Sequence, residues 1–298
     1  MKMKHKASLI VLQIILLFIT GACEKEIKLN IGKEDRMLVV NSILCPDSLI
    51  TVKVSYTQYI LEDQPTTFIN NAKVLIYENG LFLDSLILVA NGKYQSKYKP
   101  ETNKVYFLVV SDGIRKATAT CQIPEKGFPV SPTTDTVRVL FGPPSQSIKM
   151  QFKDNGGQKN YYRFFLKGTY YSTPLAFGNN LGFMYNDEAL NNETTALDAL
   201  SNYINDTPQF YGRFDLIFSD KNINGTSREI VLSQIRLLEG YTIFIHQQTL
   251  SEDYYQYIYS YNNKPTDSYS EPFPIHSNIM NGVGIFGAYK EIVDTLRL

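Results

Sequence analysis

Leu38-Val39-Val40-Asn41-Ser42 and Ile50-Thr51-Val52-Lys53-Val54 decide the fold. The first opens as an apolar run, and the second alternates with the period of two that a half-buried strand requires. Working outward, Ala72 to Tyr77 runs into Glu78-Asn79-Gly80, a hairpin signal because Asn and Gly both tolerate positive φ. Asn91-Gly92 precedes Lys93 to Tyr98, and Asp112-Gly113 joins Val105–Val110 to Ile114–Thr120. About seven short strands with regular turns predict an immunoglobulin-like or transthyretin-like β-sandwich over residues 36–126. Alternating side chains fill the interior of such a fold, so only its end loops are free for recognition.

Pro124, Gly127, Pro129, Pro132, Gly142, Pro143 and Pro144 then interrupt any regular pattern, which predicts a linker at 127–136. A second β-rich, sandwich-like domain is expected over 137–298, with strands at Ile148–Phe152, Tyr161–Leu166, Leu216–Ser219, Glu229–Leu237 and Tyr241–Gln248. Leu190, Leu197, Leu200 and Ile204 fall near helical spacing, which predicts a helical insertion over Glu188–Ile204. A second helix is expected after Ser251 as N-cap, with Glu252 and Asp253 at its positive end and Asn262, Asn263 and Pro265 closing it. Tyr254, Tyr255, Ile258 and Tyr261 form one face of that helix, expected to pack on the sheet. Twenty-one Tyr, no Trp and many short Val/Ile/Tyr/Phe runs agree with a mainly β chain.

The N-terminus carries a different signal. Lys2, Lys4 and Lys6 precede an apolar run from Ala7 to Ile19, too short to span a bilayer, and Thr20-Gly21-Ala22-Cys23 follows. Small residues before a cysteine mark a lipoprotein cleavage site, so residues 1–22 read as a signal peptide, Cys23 as the lipidated residue and 23–35 as a tether. Thr20 stands where leucine is usual. Cleavage would remove three of 29 basic residues and leave 26 against 29 acidic ones, a net charge near −3. That balance argues against nucleic acid as a partner.

With Cys23 acylated, Cys45 and Cys121 are left as a candidate disulfide, worth about 4.5 kcal/mol of loop-closure entropy, or as two buried thiols. Asp220, Asn222 and Asn224, followed by Gly225, imitate the first half of a calcium loop, but Val231 stands where a bidentate Glu must close it. An Asx-stabilised loop is the competing reading, and no cofactor beyond the acyl anchor is expected. Gly282-Val283-Gly284-Ile285-Phe286-Gly287 matches G-x-G-x-x-G without the following helix a dinucleotide site needs; close backbone packing or a bulged strand explains it better. His246 and His276 lack neighbours at metal-ligand spacing, and no nucleophile elbow is present, so neither a metal nor a catalytic centre is expected.

Cys23-Glu24-Lys25-Glu26-Ile27, Asp154 through Asn160-Tyr161-Tyr162-Arg163, and Glu271-Pro272-Phe273-Pro274-Ile275-His276-Ser277-Asn278-Ile279 with Asn281 to Gly287 together resemble the Bacteroidota outer-membrane lipoproteins grouped as domain of unknown function 4249. Asn71-Ala72-Lys73-Val74, Gly92-Lys93-Tyr94 and Val105 to Val110 also resemble the regulatory-like sandwich appended to carboxypeptidases. The first resemblance implies a sandwich-bearing outer-membrane lipoprotein, facing the cell surface or the periplasm, often encoded beside a TonB-dependent barrel, and the cell surface is the face expected here. Glu24-Lys25-Glu26 is similar to the export signals of such surface lipoproteins. The expected role is therefore an accessory that partners a TonB-dependent transporter in uptake of an unidentified polar ligand: a glycan, a peptide or a chelate. A structural or adhesin-like lipoprotein is the alternative, and an enzyme with an unrecognised site the third. Candidate ligand or partner surfaces are the Tyr-rich segment from Tyr254 to Tyr269, with Tyr254, Tyr255, Tyr257 and Tyr261, and the Tyr/Asn-rich insertion from Tyr170 to Tyr211.

Overall fold

The last strand of the chain, Gly282–Arg297, is 16 residues long, and the rest of the architecture is arranged along it. A computed structural model describes residues 35–59, 64–125, 127–137, 145–170, 173–174, 184–185, 215–235, 240–262 and 273–298. The helix expected over Glu188–Ile204 lies outside the described residues, as do Cys23, the tether up to Glu34, most of the Tyr170–Tyr211 insertion and the part of the Tyr254–Tyr269 segment beyond Asn262.

Eight strands precede Pro124: β1 (Leu38–Leu44), β2 (Thr51–Tyr56), β3 (Lys73–Glu78), β4 (Leu81–Ser85), β5 (Ile87–Ala90), β6 (Lys93–Gln95), β7 (Val105–Ser111) and β8 (Lys116–Gln122). β4-β3-β7-β8 form one sheet, and β1-β2-β6-β5 one end of another. The alternation read in the sequence is literal: Val52 and Val54 are buried and Lys53 exposed, while Tyr106, Leu108 and Val110 of β7 point inward to meet them. The chain is mainly β, and this first region is a two-sheet sandwich.

The remaining strands are β9 (Thr133–Val137), β10 (Ser145–Lys153), β11 (Tyr161–Tyr170), β12 (Thr173–Pro174), β13 (Met184–Tyr185), β14 (Asp215–Ser219), β15 (Ser227–Ile235), β16 (Tyr241–Leu250) and β17 (Gly282–Arg297), with one helix among the described residues, α1 (Glu252–Asn262), between β16 and β17. β13-β15-β10-β9 make a third sheet. It packs on β14, β11 and β16 over a second core in which Phe152, Phe164 and Phe218 meet with ring centroids 5.4 to 5.9 Å apart. No described helix is long and apolar enough to cross a membrane.

β17 belongs to both sandwiches. Gly282 to Ala288 pair in parallel with Leu38 to Leu44 of β1, and Tyr289 to Arg297 pair antiparallel with β16. Arg36–Leu298 is accordingly one compact unit. The stretch 127–136, expected as a linker, does not behave as a spacer: Val130 is fully buried in the second core, its N–H donates to Asp294 at 2.9 Å, and β9 begins at Thr133. Its prolines and glycine break the pattern without preventing burial. The candidate disulfide is also corrected. Cys45 and Cys121 are free, buried thiols, and burial raises the Cys121 thiol to about 12, so both serve as small apolar core groups.

The Asp112-Gly113 turn does more than reverse the chain. Burial acts to raise the Asp112 carboxyl, but the N–H groups of Arg115 and Ile114, the Tyr56 hydroxyl at 2.8 Å and the Arg115 guanidinium outweigh it and hold the carboxyl at about 2. A depressed carboxylate stabilises the fold above its unfolded value near 3.9, and that contribution is lost as pH falls from about 4 through 2. Asp112→Asn is expected to cost about 2 kcal/mol at neutral pH and less below pH 3, measured by urea denaturation at both pH values.

Candidate functional site

α1 starts where the sequence places it. The Ser251 carbonyl accepts the Tyr255 N–H at 3.0 Å, the first helical bond, which makes Ser251 the N-cap residue. Its hydroxyl turns instead to the Ala288 N–H at 3.0 Å, and the Ser251 N–H reaches the Ala288 carbonyl at 2.8 Å, so the cap pins the helix to β17. Asp253 accepts from the Asn278 amide at 3.0 Å and contacts His276 Nε2 at 2.9 Å. Asn278 also pairs with both backbone polar groups of Phe286, each at 2.9 Å, like one residue of a neighbouring strand. The Pro-Ile-His-Ser-Asn stretch thus clasps α1 onto β17. Gly287 allows the contact, since a Cβ there would stand 2.7 Å from the Tyr254 Cβ.

On its other side α1 faces the start of β11 and the end of β14, and between them opens a cleft of about 530 Å³. Tyr161, Tyr255 and Tyr259 supply its aromatic wall. Tyr161 and Tyr255 stack at 4.5 Å and 27°, and Tyr259 continues the stack at 5.9 Å. Lys159, Ser219, Asp220, Lys221 and Gln256 supply polar groups. Glu252 accepts from Lys159 at 2.9 Å and from the Tyr161 hydroxyl. Those bonds lower the Glu252 carboxyl, the one from Lys159 first, and raise the ammonium of Lys159. Burial and the Glu252 carboxylate raise Tyr161 to about 12, so it remains a hydroxyl donor at any physiological pH.

A buried polar knot holds the floor. Asp154, 1 % exposed, accepts from the Gly225 N–H and the Tyr162 hydroxyl, each at 2.6 Å. Asp220 accepts the Asn160 N–H at 2.7 Å, and the Asn160 amide nitrogen lies among the carbonyls of Asn155 and Gln158 at 2.7 and 3.0 Å and the carboxylates of Asp154 and Asp220, each at 3.4 Å. Burial, with the nearby Asp154 charge adding to it, raises the Asp220 carboxyl.

Of the residues singled out in the sequence, the structure brings Tyr255 and Asp220 into one cleft. It does not gather the candidate calcium ligands: Asp220 turns inward to the Asn160 amide, whereas Asn222 and Asn224 are exposed on the same loop, and Glu229 pairs with Gln151 at 2.6 Å. The loop is a run of turns, with Ile223 N–H to the Asp220 carbonyl and Thr226 N–H to that of Ile223. Among the described residues no group of three His, Cys, Asp or Glu side chains converges as a metal site. Tyr254 packs toward Tyr289, while Tyr257 and Tyr261 stack on each other outside the cleft lining. Tyr261, expected on the packed face, is 48 % exposed. Gln256 and Tyr259 fall within the Tyr254–Tyr269 segment without being named singly there, and sequence reading missed Lys159 and Tyr161 as cleft residues; the i, i+4 spacing of Tyr255 and Tyr259 was the one available signal.

The fold and cleft define a β-sandwich protein with an aromatic and polar recess. The chain belongs to the family described as Domain of unknown function (DUF4249), which matches residues 24–293. No curated protein matches the sequence. Among solved structures, it is similar to a Salmonella alpha-2-macroglobulin at 10% identity and TM-score 0.24, over 92% of this chain and 16% of that one. A "Putative membrane anchored protein" from Corynebacterium diphtheriae is similar at 10% identity and TM-score 0.23, over 85% of this chain and 60% of that one. A "putative carbohydrate binding protein" from Bacteroides uniformis is similar at 9% identity and TM-score 0.21, over 87% of this chain and 98% of that one. The chain thus spans about a sixth of the macroglobulin and less than two thirds of the second protein.

Proposed function

We propose that this is a lipid-anchored binding protein of the outer membrane that holds a polar ligand, non-covalently, in the cleft beside α1 and works as an accessory to a TonB-dependent barrel. The observation that carries the reading is the tyrosine stack of Tyr161, Tyr255 and Tyr259 set among Lys159, Lys221 and Gln256. Tyrosine rings offer flat apolar contact with a polar rim at low entropic cost, and the flanking cations and amide suit hydroxyl, carbonyl or carboxylate groups of a glycan or peptide. Acylation of Cys23 would confine the protein to two dimensions, so modest contacts with a barrel suffice.

Affinity purification of the tagged full-length protein from outer membranes in mild detergent, followed by mass spectrometry, tests the partnership. A stoichiometric TonB-dependent barrel is the expected result. Repeated recovery without a barrel would sink the accessory role and favour a spacer or adhesin.

A further inference from the structure

One end of the first sandwich carries exposed apolar side chains at its tips. Ile114, in the Asp112–Arg115 turn between β7 and β8, is 89 % exposed; Met280, just before β17, is 67 % exposed, and Met37, just before β1, is 41 % exposed. The register places them together. Leu38 opposes Gly282 and Tyr56, Thr118 bridges to Met280, and the Tyr56 hydroxyl and ring meet Asp112 and the Arg115 guanidinium. Arg36, Lys73 and Lys116 belong to the same end, with Asp35 the exposed acid among the described residues there; Arg115 is matched by Asp112. Cys23 is separated from Arg36, which enters β1 at this end, by twelve residues. That length of chain spans at most about 45 Å.

We infer that this end is the foot on which the anchored protein rests, with Ile114, Met280 and Met37 entering the interfacial zone of the bilayer. The inference rests on the reading of Cys23 as an acylated anchor. Isolated apolar tips flanked by Lys and Arg suit the boundary between headgroups and acyl chains, where the apolar groups leave water and the cations stay among phosphates. An acyl chain that already holds the protein at the surface makes so small a patch sufficient. The arrangement orients the molecule. β17 leaves the foot at Gly282, and Tyr289, seven residues on, opposes Leu250, which opposes Tyr161 of the cleft. At the rise of a β-strand, the cleft stands about 23 Å along β17 from the foot, clear of the headgroups.

Buried Cys45 and Cys121 leave an introduced surface cysteine as the labelling site. Ile114→Cys and Leu81→Cys, each in the full-length protein, would be labelled with a polarity-sensitive fluorophore. Each would then be reconstituted in phosphatidylethanolamine and phosphatidylglycerol vesicles containing nitroxide-bearing lipid. Leu81 is the control: it is 76 % exposed beside the Asn79-Gly80 turn, at the opposite end of the same sheet. The expected result is a blue shift and strong quenching at position 114 and neither at 81. Equal spectra at the two positions in acylated protein would overturn the foot while leaving the anchor intact. Intact mass of the same preparation separates the two failures, because a mature chain without acyl mass on Cys23 would overturn the anchored reading and the foot together.

Discussion

Gly284→Ala is expected to lower the Tm of the whole Arg36–Leu298 unit by about 10 °C or more, or to prevent folding. Gly284 has φ +121°, a conformation L side chains rarely adopt, and an added Cβ would stand 2.1 Å from the Val40 carbonyl oxygen and 2.9 Å from the Asn41 side chain. Backbone must move to relieve that contact, and the backbone concerned is the parallel pairing of β17 with β1. Strain of this kind with loss of ladder bonds costs about 4 kcal/mol or more. Gly113→Ala is the control, because Gly113 also has positive φ (+97°) but nothing lies within 4 Å of its Cβ position. It is expected to cost about 1 to 2 kcal/mol from the dihedral alone. Equal losses in the two variants, by calorimetry, would show that close approach of β17 to β1 is not what the glycine serves. Since β17 is shared, both sandwiches should melt together in Gly284→Ala; a preserved transition for β10, β11, β15 and β16 would contradict the single unit.

Asp154→Ala is expected to cost about 4 kcal/mol. It removes the acceptor for the hydroxyl of fully packed Tyr162, which is left without it in a site closed to bulk water, and for the N–H of Gly225, an exposed residue of the loop. The stranded Tyr162 donor costs about 1 to 3 kcal/mol, and the lost charge-assisted bond to Gly225 adds about 1.5 to 3 kcal/mol. Asp154→Asn should lose nearly as much despite its shape, because one side of an amide presents N–H groups to donors that need an acceptor. Tyr162→Phe, which removes one donor, should cost clearly less. Chemical denaturation of the three variants checks the order, and a neutral Asp154→Asn would refute the double-acceptor role. The same knot fixes the 220–225 loop against Asn160, so loss of Asp154 should also disturb the cleft.

The parts of the fold visible in the sequence are those with a local physical mark. Lys53 between Val52 and Val54 gives away β2 because one face is buried and the other wet, and Asn79-Gly80 gives away its turn, with φ values of +47° and +83°. α1 was legible from Ser251 to Asn262 because capping residues and aromatic spacing mark both ends. The union of β1 with β17 was not, since a parallel partner 244 positions away leaves no trace in either segment. The glycines from 282 to 287 read as close backbone packing, without naming the strand approached. The cleft was half legible for a similar reason. Tyr255 and Asp220 stood out alone, but Lys159 and Tyr161 reach them only through the pairing of β11 with both β16 and β14, which places Tyr161 opposite Leu250, just ahead of the helix, and opposite Ser219, next to Asp220. Residues 127–136 misled in the opposite sense, because prolines hide a buried Val130 that alternation would otherwise reveal.

The proposed function stands on ligand binding in the cleft, which titration of the purified mature protein would measure. Without tryptophan, the 21 tyrosines report binding by their own fluorescence. Defined neutral and acidic oligosaccharides and short peptides would be titrated into the wild type and into Tyr259→Ala, which trims a half-buried ring of the cleft wall rather than the core beneath it. Saturable binding of at least one class by the wild type is expected, with a loss of about tenfold or more in Tyr259→Ala and its Tm nearly unchanged. Binding of equal strength in the variant, or none by the wild type across the panel, would contradict the proposed function.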